Sequence, residues 1–375
     1  CLQNGIGTKK NIEKAAEYYE MAIKMRSTDG IREAALLYYA QKNYAKSSSL
    51  LKQAVNGGGT ECIYPYAESL KMGYGMDVNK QQAAIYMLKA AQEGNHIAQN
   101  ELATMYMKGE GAAKSESSGL NWYKEASVEV PWAQWNAGVC YVDGIGAKVS
   151  YDEALLWIAD AVQNVKAFGK MFKDKLSTKE DKGWGGLPFV DYVNGVKAYS
   201  EKKFDDAETS FKLVEKKKMI DATTMLGVCY NSKDWKKYNV KKAVKYFTTA
   251  MESGDSKAKF LMSKLYEEGN GVEKDAAKAL KLLMDASDAG YALAQSYLGD
   301  MYFEGRGVER SDLAAVQCYQ KAMKNGYISS SSLKRLAEYY SKGNGGLRKD
   351  ENMAKKLVAK ATKTDAMENL IKEAF

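Results

Sequence analysis

Histidine is nearly absent. The 375 residues contain one, His96, which leaves no three-ligand imidazole metal site and supplies serine–histidine or cysteine–histidine catalysis poorly. Proline is almost as rare, at 3 residues, so little in the composition interrupts helical tracts. No apolar run approaches the roughly 18 residues that a membrane helix needs. The N-terminus also lacks the basic-then-apolar pattern of a secretory signal. The five cysteines, Cys1, Cys62, Cys140, Cys229 and Cys318, show neither pairing nor C-x-x-C spacing, and they read as small buried apolar residues. Carboxylates are plentiful, but no acidic pair has a sequence reason to be desolvated. No catalytic residue, cofactor site or metal ligand is therefore expected.

What the chain does have is alanine, leucine, lysine, methionine and tyrosine, a mixture that favours helix. The expected fold class is all-α. The net charge of +8 is uneven: residues 1–164 hold 16 Lys and Arg against 18 Asp and Glu, and residues 165–375 hold 39 against 29. A lysine-rich solvated surface accounts for that asymmetry. The run Lys216, Lys217, Lys218 closes a helix, where positive charge suits the dipole, and no aromatics interleave at base-stacking spacing. No nucleic-acid partner is expected, and no membrane span.

The strongest signal is a repeat. Glycine pairs stand at Gly5/Gly7, Gly73/Gly75, Gly109/Gly111, Gly144/Gly146, Gly269/Gly271, Gly305/Gly307 and Gly343/Gly345, with neighbouring copies 36, 35, 36 and 38 residues apart. Upstream of each pair runs a helix-period segment such as "IAQNELATMYMKG" or "LAQSYLGDMYFEG". A small residue lies 11 before the first glycine (Ala98, Ala133, Ala258, Ala294) and a tyrosine 3 before it (Tyr106, Tyr141, Tyr266, Tyr302, Tyr340). These positions share one helical face, and the glycine is the natural left-handed stop of this first helix. Six residues past the glycine stand Asn11, Asn79, Ser115, Ser150, Asp275 and Ser311, with Asn239 and Asp350 at the matching place of two irregular copies. All are good N-cap residues, so a second helix starts there. It carries small residues seven apart, such as Ala83/Ala90 and Ala315/Ala322, for close backbone approach. The "GRG" of residues 305–307 follows a helix and precedes an N-cap, whereas a glycine-rich phosphate loop follows a strand. It reads as a turn.

With its first helix ending in "LGDMYFEGRGV" and its second reading "SDLAAVQCYQKAMKNGY", the unit resembles the Sel1-like repeat, a relative of the tetratricopeptide repeat. The resemblance implies an α-solenoid, a right-handed superhelix of antiparallel hairpins of about 34–38 residues. Residues 30–57 and 188–218 look more like plain tetratricopeptide hairpins, and "NSKDWKKYN" replaces the glycine turn within 221–254. Residues 165–187 interrupt the array, part of them as an extra amphipathic helix and "KGWGGLP" as a loop. The expected organisation is a first stack over 1–164, a connector over 165–187, a second stack over 188–363 and a helical tail over 364–375. Cys1 falls at the end of a first helix whose body is missing, which reads as a truncated first repeat; the alternative is a lipoprotein cysteine. The compartment is open.

For function, the resemblance implies a non-enzymatic scaffold or adaptor that binds a protein or peptide on the concave face lined by first helices. The residues expected there are Tyr64, Asn100, Trp132, Trp135, Tyr192, Lys257, Phe260, Lys264, Leu293 and Asp300. Tryptophan and tyrosine suit binding hot spots, though Trp132 and Trp135 equally suit packing at the junction with the neighbouring repeat. Trp122 and Trp157 read as packing, and His96 as a capping turn residue. A second reading is a module that organises cell-envelope polysaccharide or peptidoglycan. A third, weaker one is a hydrolase, but the cysteine pairs of the relatives for which that activity is suggested are missing here.

Overall fold

The computed structural model describes residue 7, residues 9–176 and residues 186–374. Among the described residues there are twenty α-helices, one short 3-10 turn and no strand. In chain order these are α1 (Ile12–Lys24), α2 (Thr28–Ala40), α3 (Tyr44–Asn56), α4 (Ile63–Met72), α5 (Lys80–Gln92), α6 (His96–Lys108) and α7 (Glu116–Ala126). Then come α8 (Pro131–Asp143), α9 (Tyr151–Asn164), α10 (Lys166–Leu176), α11 (Gly186–Ser200), α12 (Phe204–Glu215) and α13 (Ile220–Tyr230). The remainder are α14 (Val240–Glu252), α15 (Ser256–Glu268), α16 (Ala276–Asp288), α17 (Ala292–Glu304), α18 (Asp312–Lys324), α19 (Ser330–Lys342) and α20 (Glu351–Ala374). The fold is an all-α repeat array of helical hairpins.

Each hairpin is built by local chemistry. All eight expected N-caps hold the amide three residues on: Asn11, Asn79, Ser115, Ser150, Asn239, Asp275, Ser311 and Asp350 accept from the N–H groups of residues 14, 82, 118, 153, 242, 278, 314 and 353. From Asn79 on, these cap residues also donate their own N–H backward across the turn, as Ser115 does to the Tyr106 carbonyl at 3.0 Å and Ser311 to that of Tyr302 at 3.0 Å. The turn is therefore closed from both sides.

The two glycines of a pair have different duties. Gly109 ends α6 with φ 69°, a left-handed residue that a side chain would strain. Gly111 faces the start of α5, where a Cβ would lie 1.9 Å from the Lys80 carbonyl oxygen. The same close approach joins Gly75 to Tyr44 and Gly146 to Glu116. In these three turns the second glycine thus seats the turn on the first residue of the preceding second helix. A buried glutamine adds to the join: Gln99, Gln134 and Gln295 donate to the carbonyls of Ala91, Ser127 and Ser287 at 2.9–3.0 Å.

Small residues line the hairpin interiors. Ala154, Ala161, Ala243, Ala315 and Ala322 are fully buried, and a Cβ at Gly299 would meet the Tyr319 ring at 2.5 Å. Cys62, Cys140, Cys229 and Cys318 are buried, and burial raises the thiols of Cys62, Cys229 and Cys318 to about 11, 12 and 11. Cys1 lies outside the described residues. The hairpins α2–α3 and α11–α12 turn without the glycine pair, through Lys42 and Lys202, both at φ 59°.

By contact, the chain divides into two compact units, Cys1–Asn136 with Ile145–Ala147, and Ala137–Gly144 with Lys148–Phe375. The division falls earlier than residues 165–187 because α9 is tied to later helices: the Tyr151 N–H donates to Asp221 and the Tyr192 hydroxyl to Asp152. α10 lies within residues 165–187. Most of the expected "KGWGGLP" loop lies outside the described residues, although α11 already begins at Gly186.

Candidate interaction surface

Counting back from the first glycine of a pair, positions two, five and eight fall on one side of the first helix. In both units, position eight of one repeat meets position five, two or one of the repeat before it. In the first unit Lys71 pairs with Glu101 across adjacent first helices, and the Tyr39 hydroxyl donates to Glu68. Burial and then Glu68 raise the Tyr39 and Tyr64 phenols, so both remain neutral donors.

The second unit carries the longer ladder. Lys264 lies 3.4 Å from the centre of the Tyr297 ring, the Tyr297 hydroxyl donates to Glu267 at 2.9 Å, and Arg306 donates to Glu267 at 3.2 Å and to the Tyr297 hydroxyl at 2.6 Å. One repeat on, Arg335 donates to Asp300 at 2.6 Å and to Glu304 at 2.9 Å, while its guanidinium lies 4.5 Å from the Phe303 ring centre. Asp300 also accepts from the Tyr319 hydroxyl at 2.8 Å and from Ser332 at 3.1 Å. Beside this group Phe303, Arg310, Asp312, Arg335, Glu338 and Lys342 line a cleft of about 160 Å³. That volume holds one side chain rather than a whole small-molecule ligand, for which roughly 300 Å³ or more is usual.

The ten expected residues separate into three groups. Lys264 and Asp300 stand in the ladder, and Phe260 supports it edge-on to Tyr297 at 5.9 Å. Leu293 is partly buried in the hydrophobic cluster beneath, together with Leu283, Ala286 and Leu298. In the first unit Tyr64 is half-buried, and Asn100 is also partly buried, its Oδ1 having no hydrogen-bond partner. Trp132 is 53% exposed at the start of α8.

The other three depart from expectation. Trp135 is buried, and Tyr192 is fully buried between Tyr151 and Phe211, with ring centres 5.5 and 5.6 Å away, so neither offers surface to a partner. Lys257 turns inward to Asp152, 2.7 Å away. Counting from the buried small residue placed these three on the open wall; α9 covers Tyr192 and Lys257 through Tyr151 and Asp152, and Trp135 is simply buried. Trp157 is core and Trp122 packs against the first unit's cluster, as expected. His96 opens α6 with Nδ1 2.9 Å from Gln99 Oε1.

Glu101, Tyr297 and Arg335 were missed. Their signal is the eight-residue offset from the glycine, combined with an opposite charge or an aromatic at position five or two of the preceding repeat.

Among the described residues no group of histidine, cysteine or carboxylate side chains could hold a metal ion, and no helix is long and apolar enough to cross a membrane. The architecture is that of a helical-hairpin repeat protein. The Sel1 repeat model matches residues 1–27, 61–95, 96–127, 133–159, 220–255, 256–291, 292–327 and 330–363, well over half of the chain, and the protein belongs to the Sel1 repeat family. The unmatched stretches include α2–α3 and α11–α12, the hairpins without the glycine pair. Proteins of this family are generally protein–protein interaction scaffolds and typically non-enzymatic.

Two solved structures are similar over most of their length. One is c5321, a protective antigen of uropathogenic Escherichia coli strains displaying an SLR fold: 19% identity over 96% of this chain and 91% of that one, with a TM-score of 0.39. The other is a Sel1 repeat protein from Oxalobacter formigenes: 21% identity, 87% and 90% coverage, and a TM-score of 0.41. Superposition at that level carries nothing about a site.

Proposed function

We propose that this chain is a non-enzymatic scaffold that docks a protein or peptide segment along its first-helix faces, the ladder of the second unit being the principal contact. The observation that carries this reading is the set Lys264, Tyr297, Phe303 and Arg335. These side chains are partly exposed, yet neighbours within the chain hold them in one geometry. Side chains ordered in advance lose little entropy on binding, and tyrosine and arginine are over-represented among residues that dominate interfaces. The adjoining cleft of about 160 Å³ suits one anchoring side chain of an extended segment. Tyr64, Asn100 and Trp132 offer the first unit a contact of its own.

The test is affinity capture from native extract on the immobilised chain, beside a Tyr297→Ala/Arg335→Ala variant and a Trp132→Ala variant, each checked for an unchanged helical spectrum. A protein held by the wild type and lost with the ladder variant supports the reading. Equal retention by all three chains overturns the placement. Retention of glycan alone replaces the protein-docking reading with a polysaccharide-organising one.

A further inference from the structure

In the second unit the first turn of α9 enters a polar interior built by α11, α13 and α15. Asp152 accepts from the Tyr192 hydroxyl at 2.5 Å and from the Lys257 ammonium at 2.7 Å. Asp255, the N-cap of α15, accepts from the Thr224 hydroxyl and from the Lys257 N–H at 2.8 Å. Asp221, on α13, accepts from the Tyr151 N–H at 2.5 Å, and its other oxygen lies 3.4 Å from the Ser150 hydroxyl. Asp221 and Tyr192 are buried. The further ionisable groups around the cluster are Tyr151, beside Asp221 and Asp143, Tyr199 beside Lys257, Glu153 on α9, and Tyr291 ahead of α17 with Tyr327 next to it.

The cluster sets three carboxylates against one ammonium. With every group ionised it would carry two uncompensated negative charges out of water, an arrangement that buried sites relieve by taking up protons. The three acids are not equivalent. Asp152 holds Lys257 directly, and Asp255 lies at a helix N-terminus beside the same lysine. Asp221 is hydrogen-bonded by the neutral donors of Tyr151 and Ser150, and Lys257 acts on it without a direct bond. Its second oxygen lies 3.4 Å from Ser150 Oγ, which donates to it when the carboxyl is ionised and can rotate to accept a hydrogen bond from the protonated acid while still accepting from the Glu153 N–H.

We infer that Asp221 is a carboxylic acid in the folded protein, and that it is a proton-sensing latch tying the first turn of α9 to α13. Burial, and after it the charges of Asp152 and Asp255, raises the Asp221 carboxyl well above the ordinary aspartate value. Burial opposes the charge on Lys257, but Asp152, Asp255 and Asp221 outweigh it, so the lysine stays protonated. The sign of the linkage follows. A carboxyl raised in the folded state contributes stability that is fully present below the ordinary value of about 3.9 and is lost as pH rises through the folded value. The latch holds in acid and loosens toward alkali. It is independent of the docking surface.

The test is infrared difference spectroscopy of the full chain and its Asp221→Asn variant from about pH 4 to about pH 9, with hydrogen exchange at the α9 amides corrected for intrinsic rate. The expected result is a protonated-carboxyl band in the wild type that outlasts the ordinary aspartates by at least about one pH unit and is missing from the variant. Protection of the first α9 amides should fall with pH in the wild type and stay level in the variant, whose amide copies the neutral acid. No band difference, or an Asp221→Asn chain that unfolds more easily at every pH, overturns the inference. If that variant does not fold, Asp255→Asn removes one neighbouring charge and must move the band's disappearance to lower pH; an unmoved band also overturns the inference.

Discussion

Arg335 reaches back one repeat to Asp300, with its Nη1 2.6 Å from the carboxylate and both side chains at least three-quarters buried, at 25% and 20% exposure. Asp300 is shared by α17, α18 and α19, because Tyr319 and Ser332 donate to the same oxygen. Replacing it with alanine leaves three donors short of an acceptor and should destabilise the chain by about 2–3 kcal/mol. Arg335→Lys keeps the charge but loses the second arm to Glu304 and the Phe303 stack, for about 1 kcal/mol. Denaturant titration of both variants checks the order; equal losses would mean that only charge matters there.

The two kinds of glycine can be separated by substitution. Gly94→Ala adds a methyl at φ 86° with nothing within 4 Å, so only left-handed strain of about 1 kcal/mol applies. Gly111→Ala adds the same strain and a clash 1.9 Å from the Lys80 carbonyl, and should cost at least about 3 kcal/mol. Thermal unfolding compares them, and similar melting temperatures would refute the seating of the turn on α5.

Glu208 gives an acid-side prediction. Burial opposes its charge, but hydrogen bonds from Lys212, Lys237 and Tyr230 outweigh burial and hold the carboxyl down to about 2. A depressed carboxyl contributes stability above its unfolded value, and that stability is lost as pH falls through the folded value, here between about 4.3 and about 2. With the lysines partly in solvent, the contribution is about 1–2 kcal/mol. Glu208→Gln should be weaker than wild type at neutral pH and converge with it near about pH 2.

Trp132 and Trp135 should behave oppositely. Trp135 is 5% exposed, and truncation to alanine should cost about 3–5 kcal/mol. Trp132, 53% exposed, should cost under about 1 kcal/mol. Separate single variants in a melting assay decide this, and equal losses would place Trp132 in the core.

The hairpins were legible because their determinants are local. An N-cap oxygen acts on an amide three residues away, and a left-handed glycine acts on its own turn, so Asn79, Ser115 and Gly109 announce the helix ends without knowledge of neighbours. The open wall was legible only in part. Lys264 and Asp300 were expected there and stand in the ladder, whereas Tyr297 and Arg335 were not expected, since their place depends on contacts with the repeat before them. The wrong placement of Tyr192 and Lys257 has the same origin: what covers them is α9, whose Asp152 lies 105 residues from Lys257 along the chain.

The sequence by itself determined the class of fold, the period of the repeat, the helix boundaries and the buried character of the four described cysteines, because each follows from propensity, capping and hydrophobic period over a few turns. The tertiary structure alone decided which side chains stay partly exposed in a ladder, which tryptophan is core, and where three carboxylates come to surround one lysine. Those outcomes are set by long-range packing, and a change of one helix neighbour moves a charged group from solvent to interior without altering any local signal.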